Sequence, residues 1–158
     1  HKHKLKLIEK GAKRLGINII ETCLRDGASA DKELPSADRI LCDVPCSGLG
    51  VLSRKPEIRY KDDLIDTDLA DIQYKILCES AKYLKIGGKL VYSTCTLNPQ
   101  ENNKNTAKFL AEHNDFEGVE LELPPELKRA FDEKPYEITL MPHTFDGDGF
   151  YIAVLTRR

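Results

Sequence analysis

Two of the five cysteines occupy positions that suit chemistry. Cys46 lies in the segment DVPCSG and Cys95 in the segment STCTLNP, and each follows a short apolar run that is typical of a buried strand. Pro, Ser or Gly stands near each cysteine and a polar loop follows, so we expect partial exposure, which a reactive thiol needs. A cysteine after a strand is often only a packed residue. The pair is therefore more informative than either cysteine alone.

The other three cysteines, Cys23, Cys42 and Cys78, are expected to be buried, inert side chains. An odd number of widely spaced cysteines without a signal peptide indicates reduced thiols. No two cysteines are spaced as C-x-x-C, and His1 and His3 are expected to face solvent. We therefore predict no metal site.

The elements that must position Cys46 and Cys95 follow from the apolar spacing. Helical spacing predicts helices over 5–15, 64–85 and 99–112. Gly16 and Gly87-Gly88 are stop signals for the first two, and Pro99 suits the first turn of the third. Apolar or alternating runs predict strands over 17–24, 39–43, 89–95, 116–123, 136–141 and 149–156. The irregular segment 44–63 is long enough to be functional.

This alternation predicts an α/β fold with a mainly parallel sheet and an antiparallel C-terminal edge. Ligands of such sheets bind beyond the carboxyl ends of the strands. Asp26 follows the first predicted strand, Asp43 ends the second with Cys46 shortly after it, and Cys95 ends the third. If the second and third strands are parallel neighbours, both thiols face one cleft.

The composition excludes several classes of function. The chain has 158 residues, of which 41% are hydrophobic, so one domain of ordinary size is expected. A formal net charge of -2 excludes a strongly basic nucleic-acid protein but is compatible with a local basic patch. No apolar run is long enough to span a membrane, and the first residues lack the apolar core of a signal peptide. We expect a cytoplasmic protein that does not bind a membrane.

Residues 53–63, SRKPEIRYKDD, form a candidate basic patch. Its basic side chains are those of Arg54, Lys55, Arg59 and Lys61. Such side chains would meet RNA phosphates, and Tyr60 could stack on a base. A solvated charged loop is the alternative interpretation. His143 and Asp148, near the last predicted turn, are further candidates for lining the cleft.

The two cysteine motifs together are highly specific. DVPCSGLG, residues 43–50, and YSTCTLNPQEN, residues 92–102, resemble two signature motifs of the Sun-type ribosomal RNA cytosine-5 methyltransferases. Residues 3–16 resemble the helix after that family's second strand, 50–60 its substrate loop and 148–155 its closing strand. The resemblance covers essentially the whole chain. It implies a Rossmann-like, S-adenosylmethionine-dependent methyltransferase fold, of which residues 1–158 are a partial catalytic domain.

The resemblance also implies a mechanism that needs these residue types. Carbon 5 of cytosine is a poor nucleophile. When a thiolate adds to carbon 6, carbon 5 becomes able to accept a methyl group from S-adenosylmethionine. By resemblance, Cys95 is the nucleophile, Cys46 assists its release, and Asp43 hydrogen-bonds the cytosine. Asp26 would lie near the donor's adenine, with a turn-capping Asp as the alternative, whereas Asp43 and Pro45 would lie near its methionine end. The target base must be exposed or flipped.

The family's Gly-rich donor loop and its acidic ribose-binding residue match no segment of this sequence. We therefore expect a domain truncated at its N-terminus, without two central strands, that is inactive and binds the donor poorly on its own. Two other functions stay open: a DNA cytosine-5 methyltransferase, whose Pro-Cys thiol is the nucleophile, and a non-catalytic RNA-binding or assembly module. The TCTLNP motif, residues 94–99, favours RNA over DNA, and the presence of both thiols favours catalysis.

Overall fold

The computed structural model describes residues 2–29, 34–60, 67–127, 133–144 and 146–158. The helices are α1 (Lys2–Arg14), α2 (Thr67–Ala81) and α3 (Asn103–Glu112). The strands are β1 (Ala37–Asp43), β2 (Leu84–Thr94), β3 (Phe116–Gly118), β4 (Glu137–Leu140) and β5 (Phe150–Arg157). Two short 3-10 helices, Leu49–Val51 and Pro56–Tyr60, lie in the segment after β1. None of the described helices is long and apolar enough to cross a membrane.

The five described strands form one sheet. β1 and β2 are parallel, with Asp43 opposite Ser93 at their carboxyl ends. β5 is antiparallel to β2, and β3 and β4 both pair with it in antiparallel fashion. The predicted α/β fold with an antiparallel C-terminal edge is confirmed. Within the described residues, β1 and β2 are the pair of strands that run parallel. The segments that follow Asp43 and Thr94 therefore leave the sheet side by side.

The hydrophobic core lies where α2 and α3 pack on the sheet. Leu77 and Ala81, four residues apart on one face of α2, are buried against it. Leu90 on β2, Leu155 on β5 and Phe109 on α3 are fully buried. Each such side chain contributes about 1.5–3 kcal/mol by leaving water. This packing fixes α2 beside the ends of β1 and β2, where the candidate residues lie.

The strand predicted over 17–24 is wrong. No described strand pairs with this segment, and Ile19 is 87% exposed. Its Ile-rich pattern suits an extended backbone, but a strand needs a neighbour to share its hydrogen bonds, and none of the described strands lies beside it. Leu41 on β1 is likewise 71% exposed.

Several boundaries also differ from prediction. The helix predicted to run to 85 ends at Ala81 because Leu84 is already buried in β2. Gly87, with φ of 75°, belongs to a bulge where the pairing moves from Ala37 with Leu84 to Arg39 with Lys89. Residues 99–102 form turns before α3, and 64–66 lie outside the described residues. β3 ends at 118 rather than 123.

Gly50 is a point of close approach between the loop after β1 and the start of β5. Its N–H donates to the Cys95 carbonyl at 3.0 Å, and its carbonyl accepts from the Gly149 N–H at 2.7 Å. A Cβ at Gly50 would lie 2.0 Å from the Gly149 oxygen and 2.8 Å from the Cys95 oxygen. The backbone can come this close only because residue 50 has no side chain.

We expect Gly50→Ala to lower the free energy of unfolding by about 1–3 kcal/mol, because backbone atoms must move apart to admit the methyl group. Urea denaturation measures this change. The matched control is Gly11→Ala in α1, where a Cβ meets nothing within 4 Å. There we expect no loss, and a gain of up to about 1 kcal/mol from helix propensity. Equal losses in both variants would contradict this account.

Candidate active site

The two thiols meet at the carboxyl edge of β1 and β2. Cys46 follows the end of β1 and Cys95 follows directly on β2, and their Sγ atoms are 3.1 Å apart. Both side chains are partly exposed. The parallel register that sets Asp43 opposite Ser93 also sets the two following loops side by side. The structure thus brings together the two cysteines that the sequence singled out.

The environment of Cys46 disfavours its thiolate. Burial, followed by the hydrogen bond with Cys95 and by the charge of Cys95, raises the pKa of the Cys46 thiol to about 12. Cys46 therefore keeps its proton near neutral pH. At 3.1 Å the Cys46 thiol can donate a hydrogen bond to a thiolate on Cys95.

Asp43 and Pro45 present exposed groups beside the thiols. Ser93 Oγ donates to Asp43 Oδ1 at 3.1 Å, which leaves Oδ2 without a partner among the described residues. The Pro45 carbonyl accepts from Gln73 Nε2 at 2.8 Å, which ties this loop to α2. A carboxylate oriented by one bond and otherwise open suits a ligand with positive charge or N–H donors.

Asp26 is exposed and lies in the turn that follows residues 17–24. Its Oδ1 accepts from the Ala28 N–H at 3.0 Å, and its carbonyl accepts from the Ser29 N–H at 3.2 Å. These contacts match the turn-capping interpretation. None of its described contacts reaches the loops that carry Cys46 and Cys95.

The basic patch is anchored through its first two residues and through Ile58. Ile58 is buried, whereas Lys55, Arg59 and Tyr60 are exposed. Ser53 Oγ donates to Asp148 Oδ1 at 3.2 Å. Arg54, also exposed, pairs with the same carboxylate, which raises the pKa of Arg54 and lowers the pKa of Asp148.

Asp148 therefore lies beside the basic patch and contacts two of its residues, Ser53 and Arg54. His143 is exposed in the turn after β4, and none of its described contacts reaches the cysteine loops. Lys61 lies outside the described residues.

The remaining cysteines differ in exposure. Cys42 is buried, and burial is the first cause that raises its pKa, to about 11. Cys78 is partly buried, and burial also raises its pKa. Cys23 is exposed, so its predicted burial is wrong, because no described strand covers the segment that carries it. Among the residues with described positions, no group of three His, Cys, Asp or Glu side chains could hold a metal ion.

Glu101 is a site residue that sequence reasoning missed. It is 1% exposed, and four hydrogen bonds from described residues reach its carboxylate. Oε2 accepts from the Ser47 N–H at 2.9 Å and from Gln73 Nε2 at 2.7 Å. Oε1 accepts from Ser47 Oγ at 2.5 Å and from Asn98 Nδ2 at 3.0 Å. The signal is the polar run NPQEN, residues 98–102, which belongs to the second cysteine motif but gives Glu101 no role by itself.

The segment 92–102 also folds back on itself. Tyr92 Oη donates to the Glu101 carbonyl at 2.6 Å. Thr94 Oγ1 donates to Asn102 Oδ1 at 2.6 Å, and Asn102 Nδ2 donates to the Thr96 carbonyl at 2.9 Å. These bonds hold the backbone on both sides of Cys95.

The raised pKa of Cys46 predicts how it alkylates. Since the thiolate is the reactive form, we expect iodoacetamide to modify Cys46 slowly near pH 7 and faster as the pH rises toward its pKa of about 12. In Cys95→Ser the alkylation rate of Cys46 should begin to rise at lower pH, because the charge of Cys95 is lost while burial remains. Residue-resolved mass spectrometry measures the rates, with exposed Cys23 as the accessibility control. Rapid alkylation of Cys46 at neutral pH would contradict the assignment.

The chain matches a family model and several known proteins. The family model described as 16S rRNA methyltransferase RsmB/F matches residues 1–156. The protein named probable ribosomal RNA small subunit methyltransferase B of Bacillus subtilis is 42% identical over 100% of this chain. The chain spans 36% of that relative's length.

Two solved structures have the same fold. The crystal structure of PH0851 aligns with a TM-score of 0.90 at 30% identity, covering 99% of this chain and 35% of that one. NSun6 from Pyrococcus horikoshii, crystallised with the S-adenosylmethionine analogue SFG, aligns with a TM-score of 0.85 at 29% identity, covering 99% and 39%. These matches confirm the predicted methyltransferase fold and the predicted family. This chain belongs to the RsmB/F family of rRNA methyltransferases, which use S-adenosylmethionine.

Proposed function

We propose that the full-length protein carrying these residues transfers a methyl group from S-adenosylmethionine to carbon 5 of a cytosine in ribosomal RNA. The observation that carries this proposal is the 3.1 Å separation of the Cys46 and Cys95 Sγ atoms at the ends of adjacent parallel strands. A covalent route to carbon 5 needs one thiol to add to the ring and a second group to help it leave. An rRNA substrate would place this activity in the cytoplasm.

Cys95 is the proposed nucleophile. Its thiolate forms a bond to carbon 6, and the ring electrons move toward carbon 5, which then acts as the nucleophile. The raised pKa of Cys46 supports this order, because Cys46 stays a thiol and can donate a hydrogen bond to a thiolate on Cys95. The motif around Cys95 supports the same assignment by family resemblance.

Cys46 is proposed to assist release. Once the Cys95 sulfur is a neutral thioether, the charge that helped raise the pKa of Cys46 is gone. Cys46 can then lose its proton to solvent and accept the proton from carbon 5. The electrons of that C–H bond re-form the ring double bond, the bond between sulfur and carbon 6 breaks, and Cys95 leaves as the thiolate.

Asp43 has two proposed partners. Its carboxylate, held by Ser93, would accept hydrogen bonds from the cytosine edge. The same exposed carboxylate, with Pro45, fits the cationic methionine end of S-adenosylmethionine, and Asp26 is proposed for the adenine end. When bound, that donor supplies an electrophilic methyl group to carbon 5.

The basic patch is proposed to hold the RNA beside the thiols. Lys55 and Arg59 are exposed for phosphates, and Tyr60 is 85% exposed, which leaves its ring free to stack on a base. Arg54 would reach phosphate by exchanging its contact with Asp148. A flipped base needs such supports, because unstacking costs a few kcal/mol.

The roles of the two cysteines predict opposite defects. Cys46→Ala should lose turnover yet accumulate a covalent protein–RNA adduct, at least about tenfold above the wild-type level, because addition occurs and release does not. Cys95→Ala should form no adduct. Both are measured by mobility on a denaturing gel after incubation with rRNA fragments and S-adenosylmethionine.

A DNA oligonucleotide of the same sequence is the control substrate, and we expect no adduct with it. Loss of all adducts in Cys46→Ala, with adducts kept in Cys95→Ala, would assign the nucleophile to Cys46 and contradict the proposal. Methylation unchanged in Cys95→Ala would favour a non-catalytic role for this site.

The 158 residues on their own should bind S-adenosylmethionine weakly, with a Kd of about 1 mM or more. The sequence has no Gly-rich loop after a strand to cradle the donor. The described contacts of Asp26 lie within its own turn. Isothermal titration calorimetry measures the affinity, with the full-length protein as the comparison. A micromolar Kd for the 158-residue chain would contradict this expectation.

A further inference from the structure

We propose that Glu101 is a positioning residue, which sets the separation of the Cys46 and Cys95 thiols by clamping the two loops that carry them. The consequence for catalysis rests on the function proposed above. The geometric claim does not. It concerns where the two sulfur atoms lie, which can be measured without any methylation.

The clamp joins three segments. Ser47, next to Cys46, gives both its N–H and its hydroxyl to the Glu101 carboxylate. Asn98, in the loop after Cys95, gives its side-chain amide to the same group. Gln73 on α2 donates both to Glu101 and to the Pro45 carbonyl. One carboxylate therefore fixes the residue directly after Cys46 and a residue of the loop that follows Cys95.

Ser47 makes the link between the loops closer still. Its hydroxyl lies 2.7 Å from Thr96 Oγ1, and Thr96 follows Cys95. The residues directly after the two cysteines therefore touch each other, and Ser47 joins that contact to Glu101. A shift of either loop along its strand direction would break this set of bonds and change the distance between the sulfur atoms.

A buried carboxylate is a costly way to hold two loops. Glu101 is 1% exposed, and all four donors described on its carboxylate are neutral groups. Burying a charge without a cation is unfavourable unless several donors replace its water. A lost donor would leave charge unsatisfied in the interior, so the loops that carry the donors tolerate little displacement. Such strictness suits a site in which two sulfur atoms must stay 3.1 Å apart.

The test variant is Glu101→Gln, which keeps the shape and replaces one acceptor oxygen by a donor amide. Two of the four donors then face another donor, so the loops must move apart. The readout is disulfide closure by diamide: Cys46 and Cys95 lose two protons and one electron pair, an S–S bond forms, and diamide takes both up and is reduced to the hydrazine. Mass spectrometry of the linked peptides gives the rate, in the full-length protein with Cys23→Ser to remove the exposed thiol.

The matched control is Glu137→Gln. Glu137 is also buried, at 3% exposed, and accepts from Tyr151 Oη at 2.6 Å and from the Lys134 N–H at 3.2 Å. It lies on β4, which pairs with β5, so its loss tests general loosening of the sheet. Thermal unfolding of both variants shows whether they are destabilised to a similar degree.

We expect Glu101→Gln to slow disulfide closure at least about tenfold and to lower kcat for methylation about 10- to 100-fold, with KM for RNA little changed. Glu137→Gln should leave the closure rate unchanged. If Glu101→Gln does not fold, Ser47→Ala removes one donor and should slow closure by a smaller factor.

The proposal is overturned if closure in Glu101→Gln, or in Ser47→Ala where that variant stands in, proceeds at the wild-type rate. It is also overturned if Glu137→Gln slows closure equally. A failure of the proposed function is visible separately, as methylation that survives Cys95→Ala. Slow closure in Glu101→Gln would still establish the clamp in that case.

Discussion

The parallel pairing of β1 with β2 is the constraint on which the rest of the site depends. Parallel strands end at the same edge, so the chain after Asp43 and the chain after Thr94 are brought together by backbone hydrogen bonds alone. An antiparallel pair would have sent the two cysteines to opposite ends of the sheet. The packing of α2 beside these strands adds Gln73 at the same edge, and the start of β5 adds Gly149.

Backbone pairing brings the loops close but does not set the distance between two sulfur atoms. That precision comes from the polar interior between the loops, where Ser47, Thr96 and Glu101 are linked by short hydrogen bonds. Gly50 adds a second constraint, because its backbone touches both Cys95 and Gly149. The candidate site therefore has an open face with Asp43 and the thiols, and a closed base made of buried polar groups. Groups on the open face can bind a ligand while the buried polar groups beneath them keep their positions.

The sequence predicted the parts of this arrangement that depend on local pattern. Strong apolar runs located β1, β2 and β5, and the rule for strand ends located Cys46 and Cys95. The strand at 17–24 was wrong because extended structure depends on a neighbouring strand, which local pattern does not reveal. Glu101 was missed because its role depends on contacts with Ser47 and Gln73, which are 54 and 28 residues away along the chain. The bulge at Gly87 was hidden because the same glycines also suit a helix stop.

The exposed side of β1 has a consequence for the behaviour of this chain in solution. Among the described strands β1 pairs with β2 alone, so its other edge presents unpaired N–H and C=O groups next to the exposed Leu41 side chain. Such an edge is a template for strand addition between molecules. The 158-residue chain is therefore expected to self-associate as its concentration rises, and a charged residue at position 41 is the substitution best placed to keep it dispersed.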